Sequence, residues 1–164
     1  MRLWRLAVCV LLGLMWTTPG LAERRTALVI GNAAYGELGA LRNPVNDATE
    51  LATALRRLSF DVTLLRDADL RTIQEAVETF VRQIRQGGVG LFYFAGHGMQ
   101  VQGENYLIPL RARISREQDV AYEAVPVGRI LGGMEDAGNQ LNLIMLDACR
   151  DNPYARQWRS AQRG

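Results

Sequence analysis

His97 is the only histidine of this 164-residue chain, and glycines flank it on both sides. Cys149 follows 52 positions later (149 − 97 = 52), inside Asp147-Ala148-Cys149-Arg150-Asp151. A thiol with its ordinary pKa of about 8.5 supplies little thiolate at neutral pH. An imidazole within reach can take the proton or stabilise the thiolate, and can later protonate a leaving amine. The two residue types together suit nucleophilic acyl transfer. Gly96 and Gly98 let a substrate backbone approach the histidine closely. They also leave the Gly98 amide available as a donor to an oxyanion.

The other cysteine, Cys9, belongs to a segment of different character. Arg2 and Arg5 open the chain, residues 6–16 are apolar and uncharged, and Gly20-Leu21-Ala22 closes the segment after Thr17, Thr18 and Pro19. A basic start, a short apolar stretch and a small-residue end spell a secretory signal peptide over 1–22. The apolar run falls short of the roughly 20 residues a membrane-spanning helix needs. The expected mature protein is exported, to the periplasm or beyond the cell, and Cys149 is then its one thiol. A lone thiol in an exported protein is either reactive or a small buried hydrophobe, and composition alone favours neither.

Arg2 and Arg5 also account for the whole net charge of +2, since 19 cationic residues face 17 acidic ones and there is no lysine. The neutral remainder gives no electrostatic case for nucleic acid or for an anionic membrane once the leader is removed.

Strands and helices must alternate to bring the two residues together. The apolar run at 26–30, closed by Gly31 and Asn32, reads as a buried strand. Asn43-Pro44 predicts a helix start, with Ala48, Leu51, Ala52, Leu55 and Leu58 on one face. A second strand follows at 60–65. Asp67 or Asp69 caps a second helix whose stripe is Ile73, Val77, Phe80, Val81 and Ile84, ended by Gly87-Gly88. Third and fourth strands are expected at 89–95 and 141–146, with a small β excursion at 100–109 and a short helix near 127–134 between them. The pattern predicts a three-layer α/β fold with a mainly parallel sheet and helices on both faces. The continuous apolar character of strands three and four suits central positions. His97 and Cys149 each follow one of these strands, at the carboxyl ends where open parallel sheets form their sites. On neighbouring strands, about 4.8 Å apart, their side chains could meet.

The chain resembles the caspase–metacaspase superfamily of cysteine endopeptidases, its bacterial members above all, over about 25–154. Y-F-A-G-H-G at 93–98 matches the histidine motif and L-D-A-C-R-D at 146–151 the cysteine motif. Their separation fits the family's spacing of about 50. T-A-L-V-I-G-N at 26–32 and N-D-A at 46–48 match the opening strand and first helix. The resemblance implies a catalytic dyad of His97 and Cys149, an oxyanion hole from the amides of Gly98 and Cys149, and peptide hydrolysis through an acyl-enzyme.

Departures from the caspase pattern refine this. Asp147 stands where caspases have Gln, and Asp151 where they have Gly. Asp147 and Asp47 match the acidic residues that metacaspases place in the first specificity pocket. A carboxylate pair in a partly desolvated pocket favours a guanidinium or ammonium, so cleavage after Arg or Lys is expected. The family's fold normally continues into a segment with two more strands that completes the substrate groove. Here 15 residues follow Cys149, which leaves three alternatives: a fragment, a missing part supplied by a partner chain, or a protein inactive alone. Arg156, Arg159 and Arg163, in a polar tail over 155–164, lie where the family cuts itself. No cofactor is expected. Some metacaspases use calcium; no acidic cluster has EF-hand spacing, which leaves calcium activation open, and one histidine with one cysteine cannot build a metal cluster.

The leading expectation is an exported caspase-like endopeptidase acting on peptide or protein substrates after Arg or Lys, with its catalytic domain at 23–154. The rival is a caspase-like module that binds partners without cutting them. A different thiol hydrolase, such as an amidase, finds no support in the motif spacing.

Overall fold

A computed structural model describes residues 23–85, 87–148, 152–155 and 158. The expected signal peptide at 1–22 lies outside them. Four parallel strands form the main sheet: β1 (Arg25–Gly31), β2 (Asp61–Arg66), β3 (Val89–Gly96) and β7 (Leu141–Ala148). Their spatial order is β2-β1-β3-β7. Helix α1 (Pro44–Arg57) covers one face. Helices α2 (Leu70–Ile84) and α4 (Val127–Asp136) cover the other. The fold is the expected three-layer α/β architecture.

Two buried clusters follow from strand alternation. Ala27, Val29, Leu91, Tyr93 and Ala95 point toward α1, where they meet Ala48, Ala52 and Leu55. Leu28, Ile30, Phe92 and Phe94 point the other way, into Ile73, Val77, Phe80, Ile84, Ile130 and Met134. Asn43 takes the N-cap of α1 with Pro44 opening the helix, but its side chain makes no capping bond. Asp69 is the cap of α2, accepting from the Thr72 amide at 3.0 Å. Leu58 ends α1 and is exposed rather than part of its buried face.

The four-residue helix α3 (Val120–Glu123) and a small antiparallel sheet fill the excursion between β3 and α4. That sheet holds β4 (Gly98–Val101), β5 (Glu104–Leu107) and β6 (Val125–Pro126). It covers a third cluster built on Tyr35, Met99, Ile108, Ile114 and Tyr154.

Strand four is not central. Among the described residues β7 pairs with β3 on one side and with nothing on the other. Because α1 lies over β1 to β3, the β7 residues on its side, Leu143 and Met145, are 39% and 46% exposed. An apolar run therefore marked an uncovered edge strand as well as it would a buried one.

Candidate functional site

The parallel register of β3 and β7 sets Gly96 opposite Ala148. His97 lies one peptide bond beyond the first, and Cys149 one beyond the second. Cys149 is outside the described residues, as are Arg156, Arg159 and Arg163 of the tail. The residue before His97 and the residue before Cys149 are thus paired neighbours at the carboxyl end of the sheet. The 52-residue separation of His97 and Cys149 equals the register offset of the two strands. A cavity of about 100 Å3 opens there, lined in part by Gly98, Leu107, Leu146 and Ala148.

Tyr35 shapes the surroundings of His97. The His97 carbonyl accepts from the Ile108 amide at 2.9 Å, which extends the β4–β5 ladder by one rung. The reciprocal bond of that rung would run from the His97 amide to the Ile108 carbonyl. The Tyr35 hydroxyl is inserted in its place, accepting from the His97 amide at 3.1 Å and donating to the Ile108 carbonyl at 2.8 Å. The two rings meet edge to face, with centroids 4.5 Å apart and planes at 60°. Gly96 makes this approach possible, since a Cβ there would lie 2.6 Å from the Tyr35 oxygen. Burial lowers the imidazole pKa, and the Gly39 carbonyl opposes that shift. The Nε2 atom is buried and has no hydrogen-bond partner among the described residues.

The same ladder orients Gly98. With His97 and Ile108 forming a hydrogen-bonded pair, the next pair, Gly98 and Leu107, is a non-hydrogen-bonded one. The Gly98 amide then turns away from β5, and β4 is the edge strand of its sheet. The donor needed for an oxyanion is not consumed by sheet pairing.

Loop 32–35, which carries Tyr35, is itself pinned. Asn32 is fully buried; its side chain donates to the Ala68 carbonyl at 3.0 Å and accepts from the Ala68 amide at 2.9 Å. Asp67, at φ +50°, accepts from the amides of Ala33 and Ala34 at 2.8 and 2.9 Å.

Asp47 and Asp147 come to one side of the sheet. Asp147 pairs in register with Ala95 and so shares its face, the one covered by α1. Asp47 is in the first turn of α1. Gly31 lets that turn sit close, because a Cβ there would overlap the Pro44 carbonyl oxygen. Tyr93 points to the same face between them. Its phenol pKa is raised by burial first, then by the negative charges of Asp147 and Asp47. Asp47 is half-buried and Asp147 exposed, so the pair is more open to solvent than a desolvated pocket would make it.

The sequence alone assigns no site role to Tyr35, to Tyr93 beyond its place in the motif or to Asn32 beyond closing a strand, and offers Asp67 only as a helix cap. Tyr93 lies within the histidine motif itself, and Asn32-Ala33-Ala34-Tyr35 directly follows the first strand, at the same end of the sheet as His97. That shared placement was the available signal. No group of three or more histidine, cysteine or acidic residues among those described could hold a metal ion. None of the described helices is long and apolar enough to cross a membrane.

Comparison with known proteins adds to this geometry. The peptidase C14 family model, described as a caspase domain, matches residues 24–163. The chain is similar to human mucosa-associated lymphoid tissue lymphoma translocation protein 1, with 34% identity over 134 residues. The homolog of that protein in Mus musculus is 35% identical over the same length. Each match covers 82% of this chain but only 16% of the relative. The crystal structure of protein GSU0716 from Geobacter sulfurreducens superposes with a TM-score of 0.57 at 19% identity, over 77% of this chain and 50% of that one, which is a likeness of fold.

Proposed function

The chain belongs to the caspase-domain family of cysteine peptidases, and from that premise we propose that it is an endopeptidase cutting after arginine or lysine, with Cys149 as nucleophile and His97 as base. The observation that carries the reading is the register of Gly96 against Ala148. It pairs the residues that precede His97 and Cys149 at the end of the sheet where such sites form, which supports the reading. The cycle begins with transfer of the Cys149 proton to the imidazole and attack of the thiolate on the scissile carbonyl. The Gly98 amide, turned out of its ladder, and the Cys149 amide hold the oxyanion. The imidazolium then protonates the leaving amine, and water hydrolyses the thioester. Asp47 and Asp147, which both act on Tyr93, supply the charge that selects a basic side chain.

The test is hydrolysis of matched fluorogenic peptides ending in Arg or in Asp, with and without calcium, beside a Cys149→Ala variant. Release from the Arg peptide that vanishes in the variant supports the proposal; release that persists overturns it. Self-cleavage after Arg156, Arg159 or Arg163 belongs to the same proposal, and tail cleavage that continues in Cys149→Ala rules it out. Export rests on the composition of residues 1–22, and a mature protein that still begins at Met1 would refute it.

A second reading has its own support. Leu141, Leu143, Met145 and Leu146 of the β7 edge are all between 39% and 48% exposed, as suits a module that binds a partner strand without cutting. Folded protein silent on both peptides, yet pairing with a partner along β7, would favour it.

A further inference from the structure

Every side chain that touches His97 among the described residues matters to a dyad, and one of them makes three separate contacts. The Tyr35 hydroxyl bridges the His97 amide and the Ile108 carbonyl, at 3.1 and 2.8 Å. Its ring packs on the imidazole edge to face at 4.5 Å. It is 5% exposed, and Gly96 leaves no atom between it and the strand end. A tyrosine used only for packing needs no hydroxyl at this place. The direct bond between the His97 amide and the Ile108 carbonyl would close the ladder by itself. The inserted hydroxyl separates the His97 amide from the Ile108 carbonyl, while the reciprocal bond stays direct at 2.9 Å, and ties both groups to a rigid ring.

We propose that Tyr35 is a positioning residue for His97. Its hydroxyl sets the backbone of the histidine, and its ring sets the plane of the imidazole and keeps water from one side of it. Tyr35 acts through His97. The inference rests on the Cys149–His97 reading above, but its structural half can be measured without turnover, because His97 is the only histidine and its imidazole gives a single set of resonances.

Two variants separate the roles. Tyr35→Phe keeps the ring and removes the bridge. Tyr35→Leu removes both at similar apolar character. In the active protein, Tyr35→Phe is expected to lower kcat about tenfold or more with KM changed less than twofold, the mark of a misplaced catalytic group. An unchanged kcat in folded Tyr35→Phe overturns the hydroxyl's role. The imidazole is titrated by NMR in the Cys149→Ala background. Tyr35 is the titratable side chain packed on it, and the Gly39 carbonyl is the other group that shifts it. Tyr35→Leu should move the imidazole pKa up toward its ordinary value, whereas Tyr35→Phe should leave it low. A pKa that stays low in Tyr35→Leu overturns the ring's role. If the parent protein cuts neither peptide, the dyad reading fails by that assay alone, and the titration still decides whether Tyr35 holds His97.

Discussion

Gly96 and Ala148 stand opposite each other as the last registered pair of β3 and β7. In a parallel sheet such a pair is fixed by every rung before it, here seven others from Val89 opposite Leu141 onward. A one-residue slip would move Phe92 and Phe94 from their core to the opposite face. The alignment of Gly96 with Ala148, on which the proposed dyad depends, is therefore enforced by the hydrophobic core. Replacing His97 with Ala should reduce kcat/KM for an Arg peptide by about 10²–10⁴ and leave the melting temperature within a few degrees. A loss smaller than tenfold, measured with the folded variant, would remove His97 from the mechanism.

The selectivity prediction concerns Asp47 and Asp147. Each carboxylate that pairs with a guanidinium contributes about 1.5–3 kcal/mol, roughly ten- to hundredfold in kcat/KM. Asp147→Asn should lower the Arg-over-neutral preference by that factor, and Asp47→Asn should do the same. Tyr93 reports on the pair, because both charges disfavour its phenolate. Its phenol pKa, followed by ultraviolet titration, should fall in the Asp47→Asn, Asp147→Asn double variant. An unchanged preference in both single variants would mean that the carboxylates serve the helix start and the strand end only.

Much of this was legible in the sequence. The order of strands and helices followed from apolar runs and glycine stops, and the offset between the G-H-G and D-A-C motifs proved to be the strand register itself. Strand four was misplaced because an apolar run cannot show whether a neighbour covers it. Leu143 and Met145 are as apolar as Leu91 and Tyr93, yet α1 reaches only the latter. Tyr35 stayed hidden because its role depends on a contact 62 residues away, and a tyrosine in a loop carries no motif. The cap of α2 was ambiguous between Asp67 and Asp69, and the positive φ of Asp67 explains the outcome: it serves the preceding loop.

Asn32 is expected to be the costliest polar residue to replace for stability. It is fully buried and satisfies both backbone groups of Ala68. Asn32→Ala leaves the buried Ala68 N–H without a partner, at about 1–3 kcal/mol, while the Ala68 carbonyl keeps its bond from the Leu110 amide at 3.0 Å. Chemical denaturation should show a loss of about 1–3 kcal/mol, with a lower midpoint and an unchanged slope. Since Asn32 begins the loop that carries Tyr35, the variant should also weaken the imidazole's fixation and broaden its NMR signals. A loss below about 0.5 kcal/mol would show that the loop holds through Asp67 alone.

Gly31 gives the last prediction, which joins stability to selectivity. A Cβ at this position would overlap the Pro44 carbonyl oxygen and lie 2.7 Å from the Ala48 Cβ. Both neighbours are fixed in the first turns of α1, so no side-chain rotation relieves the overlap. Gly31→Ala must push the start of α1 off the sheet, and overpacking of this kind typically costs about 1–3 kcal/mol. Asp47 lies in that same turn and moves with it. The expected result is a lower unfolding midpoint together with a rise in KM for the Arg peptide while kcat holds, because His97 is anchored elsewhere. A variant that loses stability yet keeps its KM would detach Asp47 from the recognition of the basic side chain.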